Sequence, residues 1–126
     1  MNTVNVSLPE NDHLPWLKSL KFYEKEFDIL DRRLQEISKK NHTAETLVGI
    51  EHFQNQFIVQ HANIDELKQV IHQHTFMVAE DAKKHPGELE TVLVADHDNL
   101  KDQFDTFEKI ANELRHEFNQ FLTKWM

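Results

Sequence analysis

The chain has 126 residues, 39% of them apolar and 29% charged, with no cysteine and a formal net charge of −8. The missing cysteines exclude disulfides, thiolate metal sites and cysteine nucleophiles. The acidic balance argues against a nucleic-acid partner, which needs a clustered basic face.

Residues 1–11 are polar, contain Pro9 and show no period, so they are expected to form a loose tail. They lack the basic, apolar and small-residue regions of a secretory signal. No apolar run approaches the roughly 20 residues of a membrane span. These features predict a cytoplasmic protein with no membrane partner. The remainder, residues 12–126, is expected to form a single domain with one core of its own.

The first predicted helix covers residues 12–40, with Asp12 as N-cap and Pro15 in the first turn, where its missing N–H costs nothing. Along it Trp16, Leu20, Tyr23, Phe27, Leu30, Leu34 and Ile37 recur in alternating steps of four and three. Lys39 and Lys40 complement the helix dipole, and Asn41 suits the position after the last turn. Thr43 then caps a second helix over 44–84, whose seam runs from Ile50 through Phe53, Phe57, Gln60, Ile64, Leu67, Ile71 and His74 to Val78. Gly49 lies early in this helix and costs about 1 kcal/mol relative to alanine. His85 precedes Pro86 and is pushed away from helical torsions, and Gly87 completes the break. A third helix is expected over 88–125, opened by Glu88 and Glu90, with a seam from Leu93 and His97 to Phe121 and Trp125.

Apolar seams at a 3.5-residue repeat pack helices nearly parallel or antiparallel. Two short connections then dictate an all-α, elongated, up-down-up antiparallel three-helix bundle with heptad, coiled-coil-like packing. In that register Phe27 meets Phe57 and Leu114, and Phe53 meets Phe118. Phe104 falls near Leu67, and Trp125 near Leu47 and Ile37. Phe27, Phe53, Phe57, Phe104, Phe107, Leu114, Phe118 and Phe121 are the expected core. After Asp12 the first helix carries seven Lys/Arg against five acids, and the third stretch has nine acids against four bases. Pairing between the two is therefore expected along their exposed flanks.

The segments EHFQNQFIVQHANIDELK (51–68), PWLKSLKFYEKEFDILDRRLQEI (15–37) and RHEFNQFLTKWM (115–126) resemble a group of small helical bacterial proteins of similar length. The resemblance implies a cytosolic helical bundle and carries no catalytic residue across.

Nine histidines invite a metal reading. A ferritin-like centre needs two inward Glu-x-x-His motifs. Glu10/His13 and Glu113/His116 have the spacing, but they lie turns apart and His116 points outward. His61 with Asp65, the nearest hemerythrin-like pair, faces away from the seam. A sharper cluster lies at the open end of the bundle, where His74 and His97 occupy facing seam positions and His13 belongs to the first helix's seam one step before Trp16. Imidazoles from three helices suit zinc or another transition metal, with binding that weakens below about pH 6.5, the unperturbed histidine value. The competing account is a polar layer that fixes register. His72 is two residues from His74 and cannot reach the same ion, while Asp81 and Asp96 lie farther along the tip. Gln60 is expected to satisfy itself against Tyr23, with room provided by Ala111.

No nucleophile–base pair, phosphate loop or carboxylate dyad is evident, so no enzymatic activity and no cofactor are implied. Phe22 and Ile29 form an outward stripe on the first helix, and Val48, Val59, Val70 and Met77 a thinner one on the second. Such stripes at helical spacing serve helix packing. The leading expectation is thus an interaction or scaffold protein that binds a protein partner or itself, the latter as a homodimer, through Phe22, Ile29, Val59 and Val70. The alternative is a metal-binding or metal-sensing bundle built on His13, His74 and His97.

Overall fold

In the computed structural model, which describes residues 3–4, 10–86 and 89–125, the three seams become helices α1 (Glu10–Lys40), α2 (Ala44–Lys84) and α3 (Thr91–Trp125). They run up, down and up as a three-helix bundle with the apolar seams turned inward. Leu20, Phe27, Leu34, Ile64, Ile71, Ala111 and Phe118 are closed off from solvent. The expected register holds where rings report it: Phe27 and Phe57 have centroids 5.8 Å apart, and Phe53 and Phe118 5.1 Å. Full burial of one such side chain is worth about 1.5–3 kcal/mol, so the seams rather than surface charges hold the helices together.

Phe121 is only half-buried, unlike the other seven residues of the expected core. It sits one turn from the end of α3, against Phe53 at 5.0 Å, with its outer edge uncovered. Its ring occupies the space that a Cβ on Gly49 would need. The helix-weakening glycine is therefore the seat of an aromatic ring.

The helix ends differ in part from expectation. α1 begins at Glu10, so Asp12 lies inside the helix and its carboxylate pairs with His97 instead of capping; Pro15 falls in the second turn. Thr43 caps α2 as expected, its Oγ1 accepting the Thr46 N–H at 3.2 Å. Asn41 closes α1 with its N–H on the Ile37 carbonyl at 3.0 Å, and its side-chain amide reaches the Trp125 carbonyl at 3.3 Å.

A two-residue antiparallel clasp that the periodicity did not announce joins β1 (Thr3–Val4) to β2 (Leu89–Glu90), pairing Thr3 with Glu90 and Val4 with Leu89. Part of the expected loose tail is thus tied down; residues 1–2 and 5–9 lie outside the described residues. The extended clasp also delays α3 to Thr91, so Glu90 precedes the helix; Glu88 lies outside the described residues.

The charge pairing runs opposite to expectation. Among the described residues, the ion pairs that α1 makes use its acids: Glu26 with Arg115 at 3.1 Å, Glu24 with Lys68, Asp28 with His61, and Asp12 with His97. The lysines and arginines of α1 are all exposed, whereas Glu24, Glu26 and Asp31 are half-buried on the flanks beside the seam. Gln60 is buried as expected, but its Oε1 accepts from Asn63 at 3.5 Å, while the Tyr23 hydroxyl passes Ala111 to reach Glu108 at 3.2 Å and Asn112 at 3.4 Å. Among the described residues, no helix is long and apolar enough to cross a membrane.

Candidate metal centre

Each helix contributes one imidazole to the open end of the bundle. His13 is one seam step before Trp16 on α1, His74 closes the α2 seam before Val78, and His97 follows Leu93 on α3. Their ring centroids lie 5.1–5.7 Å apart, and one ring nitrogen from each falls within 4.8 Å of the others. His13 is 2% and His74 5% exposed. Trp16 covers the group, stacked on His97 at 5.1 Å and resting on Phe104 at 5.6 Å. Thus the aromatic seam of α1 continues into the histidine layer and walls it on the core side.

The outer hydrogen bonds decide which nitrogens face inward. His74 Nε2 is 3.0 Å from the Leu93 carbonyl, which can only accept, so Nε2 carries the proton and the neutral ring keeps its lone pair on Nδ1. Thr75 Oγ1 donates to the Ile71 carbonyl at 2.8 Å and accepts from His13 Nδ1 at 2.6 Å, leaving the lone pair of His13 on Nε2. His97 Nε2 donates to Asp12 Oδ2 at 2.8 Å, leaving its lone pair on Nδ1, an atom buried without a hydrogen-bond partner. Three rings, each anchored on one nitrogen by a hydroxyl, a carbonyl or a carboxylate, thus keep the other nitrogen free to accept, and one nitrogen of each ring lies within 4.8 Å of the others. Anchoring of this kind fixes tautomer and ring angle in histidine metal sites.

His13 Nε2 and His74 Nδ1 stand 3.1 Å apart. Two lone pairs at that distance repel unless a cation lies between them. Nitrogens bound about 2.0–2.1 Å from a common ion are about 2.8–3.4 Å from each other at octahedral to tetrahedral angles, so this pair already has ligand spacing. One rearrangement satisfies the pair without an ion: the Thr75 hydroxyl turns to His13 Nδ1, and His13 Nε2–H donates to His74. It leaves His97 Nδ1 unpartnered.

Burial, reinforced by the nearby His74 and His97 rings and opposed by Asp12, lowers the pKa of His13 from 6.5 to about 4. His13 is thus held neutral and available as a ligand across the physiological range, below the pH 6.5 limit expected from the sequence.

The remaining candidates scatter. His72 and Asp96 are exposed. His116 is exposed beside Gln120, and His61 lies 3.5 Å from Asp28. The side chain of Glu10 lies outside the described residues. Phe22, Ile29 and Val59 are exposed, with the Arg115 guanidinium 5.6 Å over the Phe22 ring, whereas Val70 is half-buried against the core. Sequence reasoning found the three histidines but missed their anchors. Thr75 is adjacent to His74 and Asp12 to His13, yet nothing in the period marks them; the Leu93 contact is made by backbone. It also missed a second grouping, Asp81, His85 and Glu90, which the α2–β2 turn assembles. No family model, curated protein or solved structure matches this chain.

Proposed function

We propose that this chain is a non-enzymatic metal-binding protein that holds one divalent transition-metal ion, zinc or a similar imidazole-seeking ion, on His13, His74 and His97. The observation that carries this reading is the meeting of three anchored imidazoles, one ring nitrogen of each within 4.8 Å of the others, with a buried His97 nitrogen that has no partner. A binding role is favoured over catalysis because two of the rings are nearly closed off from solvent and Trp16 lies against the third, a poor arrangement for admitting a substrate. Since each ligand comes from a different helix, an ion there ties all three helices at the open end, and binding free energy becomes folding free energy. That coupling suits a sensor or carrier whose order depends on metal supply.

The test is thermal unfolding of untagged, metal-stripped protein with and without Zn²⁺, beside a His97→Ala variant. An ion at 100 times its Kd stabilises by about 2.7 kcal/mol, which for a domain of this size raises Tm by on the order of 10 °C. The shift should appear in the wild type and largely vanish in the variant. No shift, or an equal shift in both proteins, would contradict the reading.

A second reading, self-association or the binding of a protein partner, is favoured by one observation. Phe22 and Ile29, seven residues apart on one stripe of α1, are 51% and 49% exposed. A second copy of the chain could cover them and complete a larger bundle.

A further inference from the structure

Two turns beyond His74 on α2 lies a second set of metal-binding groups of different chemistry. His85 is the residue before Pro86, and that position pushes it out of the helix to φ −134° and ψ 72°. Its N–H still donates to the Asp81 carbonyl at 2.9 Å, so the residue stays over the last turn and its ring swings back to Asp81. Asp81 is 6% exposed, and its Oδ2 accepts the Glu90 N–H at 3.0 Å, which fixes the carboxylate and draws the clasp strand against the end of α2. One donor atom from each of Asp81, His85 and Glu90 lies within 4.8 Å of the others.

Two details separate this group from an ordinary helix-end ion pair. His85 Nε2 is buried and has no hydrogen-bond partner. It is 3.9 Å from Asp81 Oδ1, too far for a hydrogen bond and about 0.5 Å beyond the spacing of two ligands at a tetrahedral angle, a gap that a small turn of the His85 ring closes. A buried imidazole nitrogen without a partner therefore stands beside a buried, backbone-oriented carboxylate, with a second carboxylate in reach, and a cation drawn between them would satisfy all three.

We infer that Asp81, His85 and Glu90 form a second divalent-cation site, one imidazole and two carboxylates, at the turn between α2 and α3. The mixed oxygen and nitrogen set takes Zn²⁺ and also harder ions such as Mn²⁺, in contrast to the all-imidazole group. Seven residues of helix put the two sites about 10 Å apart along α2, with the small apolar cluster of Val78, Leu93 and Val94 between them. The segment from Glu90 to Leu93 serves both: Glu90 donates to Asp81, and the Leu93 carbonyl holds His74 in orientation. An ion at the second site therefore steadies the backbone that aims a ligand of the first.

The inference stands on its own residues, and stoichiometry separates it from the three-histidine reading. Zn²⁺ binding to untagged, metal-stripped protein is counted by calorimetry for the wild type, a His85→Gln/Glu90→Gln variant and a His74→Ala/His97→Ala variant, with helicity checked by circular dichroism. Two equivalents are expected for the wild type and one for each variant. If the His74→Ala/His97→Ala protein does not fold, His97→Gln alone, at a half-buried position, takes its place. A wild type with one equivalent that is lost only in His85→Gln/Glu90→Gln would uphold this site and remove the other. Unchanged stoichiometry in His85→Gln/Glu90→Gln, or no binding by the folded His74/His97 variant, would overturn it.

Discussion

His13 Nε2 and His74 Nδ1 face each other at 3.1 Å while Thr75 and Leu93 hold the opposite nitrogens of the two rings. The contact joins α1 to α2 near the open end of the bundle, so the proposed metal binding and the stability of the fold meet in the same pair.

The first consequence is a pH dependence. The folded pKa of His13, about 4, lies below its unfolded value of 6.5, so between these limits the unfolded chain binds the extra proton. There is no penalty above about pH 6.5; stability is lost as pH falls through the window, and the loss levels off below about pH 4 at about 3 kcal/mol. Urea midpoints of metal-free protein at pH 7.5 and 4.5 should show a larger loss for the wild type than for His13→Leu, which cannot titrate. Equal losses would show that His13 is not held neutral.

Core truncation gives the second. Phe57 is 2% exposed and touches Phe27, Phe53 and Phe118. Replacing it with alanine should cost about 3–5 kcal/mol by denaturant unfolding. A near-neutral variant would contradict the seam.

Gly49 and Phe121 supply the third. A methyl at Gly49 gains about 1 kcal/mol of helix propensity but meets the Phe121 ring, and overpacking of that kind costs about 1–3 kcal/mol. Gly49→Ala should therefore destabilise the wild type by about 1 kcal/mol and be neutral or stabilising in a Phe121→Leu background. Additive effects in the double-mutant cycle would mean that the ring does not rest on the glycine.

The fourth concerns the outer face of α1. Sedimentation of the wild type beside Phe22→Glu/Ile29→Glu should show a larger species that the double variant loses. Two identical monomers would remove the self-association reading.

The periodic part of this fold was legible because a seam needs only spacing: alternating steps of four and three put Leu20, Phe27, Ile64 and Phe118 inside, and antiparallel register brought Phe53 to Phe118. The same register brought His13, His74 and His97 together, since each stands in a seam. Their anchors were not legible. Thr75 and Asp12 stand off the seam, and Leu93 contributes a carbonyl that any residue would supply. The clasp of Thr3–Val4 on Leu89–Glu90 involves two residues a side, too few to show a period of two, and it shifted the start of α3. Asp81, His85 and Glu90 come together through a pre-proline turn, whose geometry sequence spacing does not encode.

The most direct test of the metal account is long-range proton–nitrogen NMR of the imidazole rings, read before and after addition of Zn²⁺. It reports for each ring which nitrogen is protonated and which is coordinated. Coordination should appear at His13 Nε2, His74 Nδ1 and His97 Nδ1, with protons retained on His13 Nδ1, His74 Nε2 and His97 Nε2, whatever His85 does. Unchanged nitrogens in those three rings, or coordination through the nitrogens facing Thr75, Leu93 and Asp12, would contradict it.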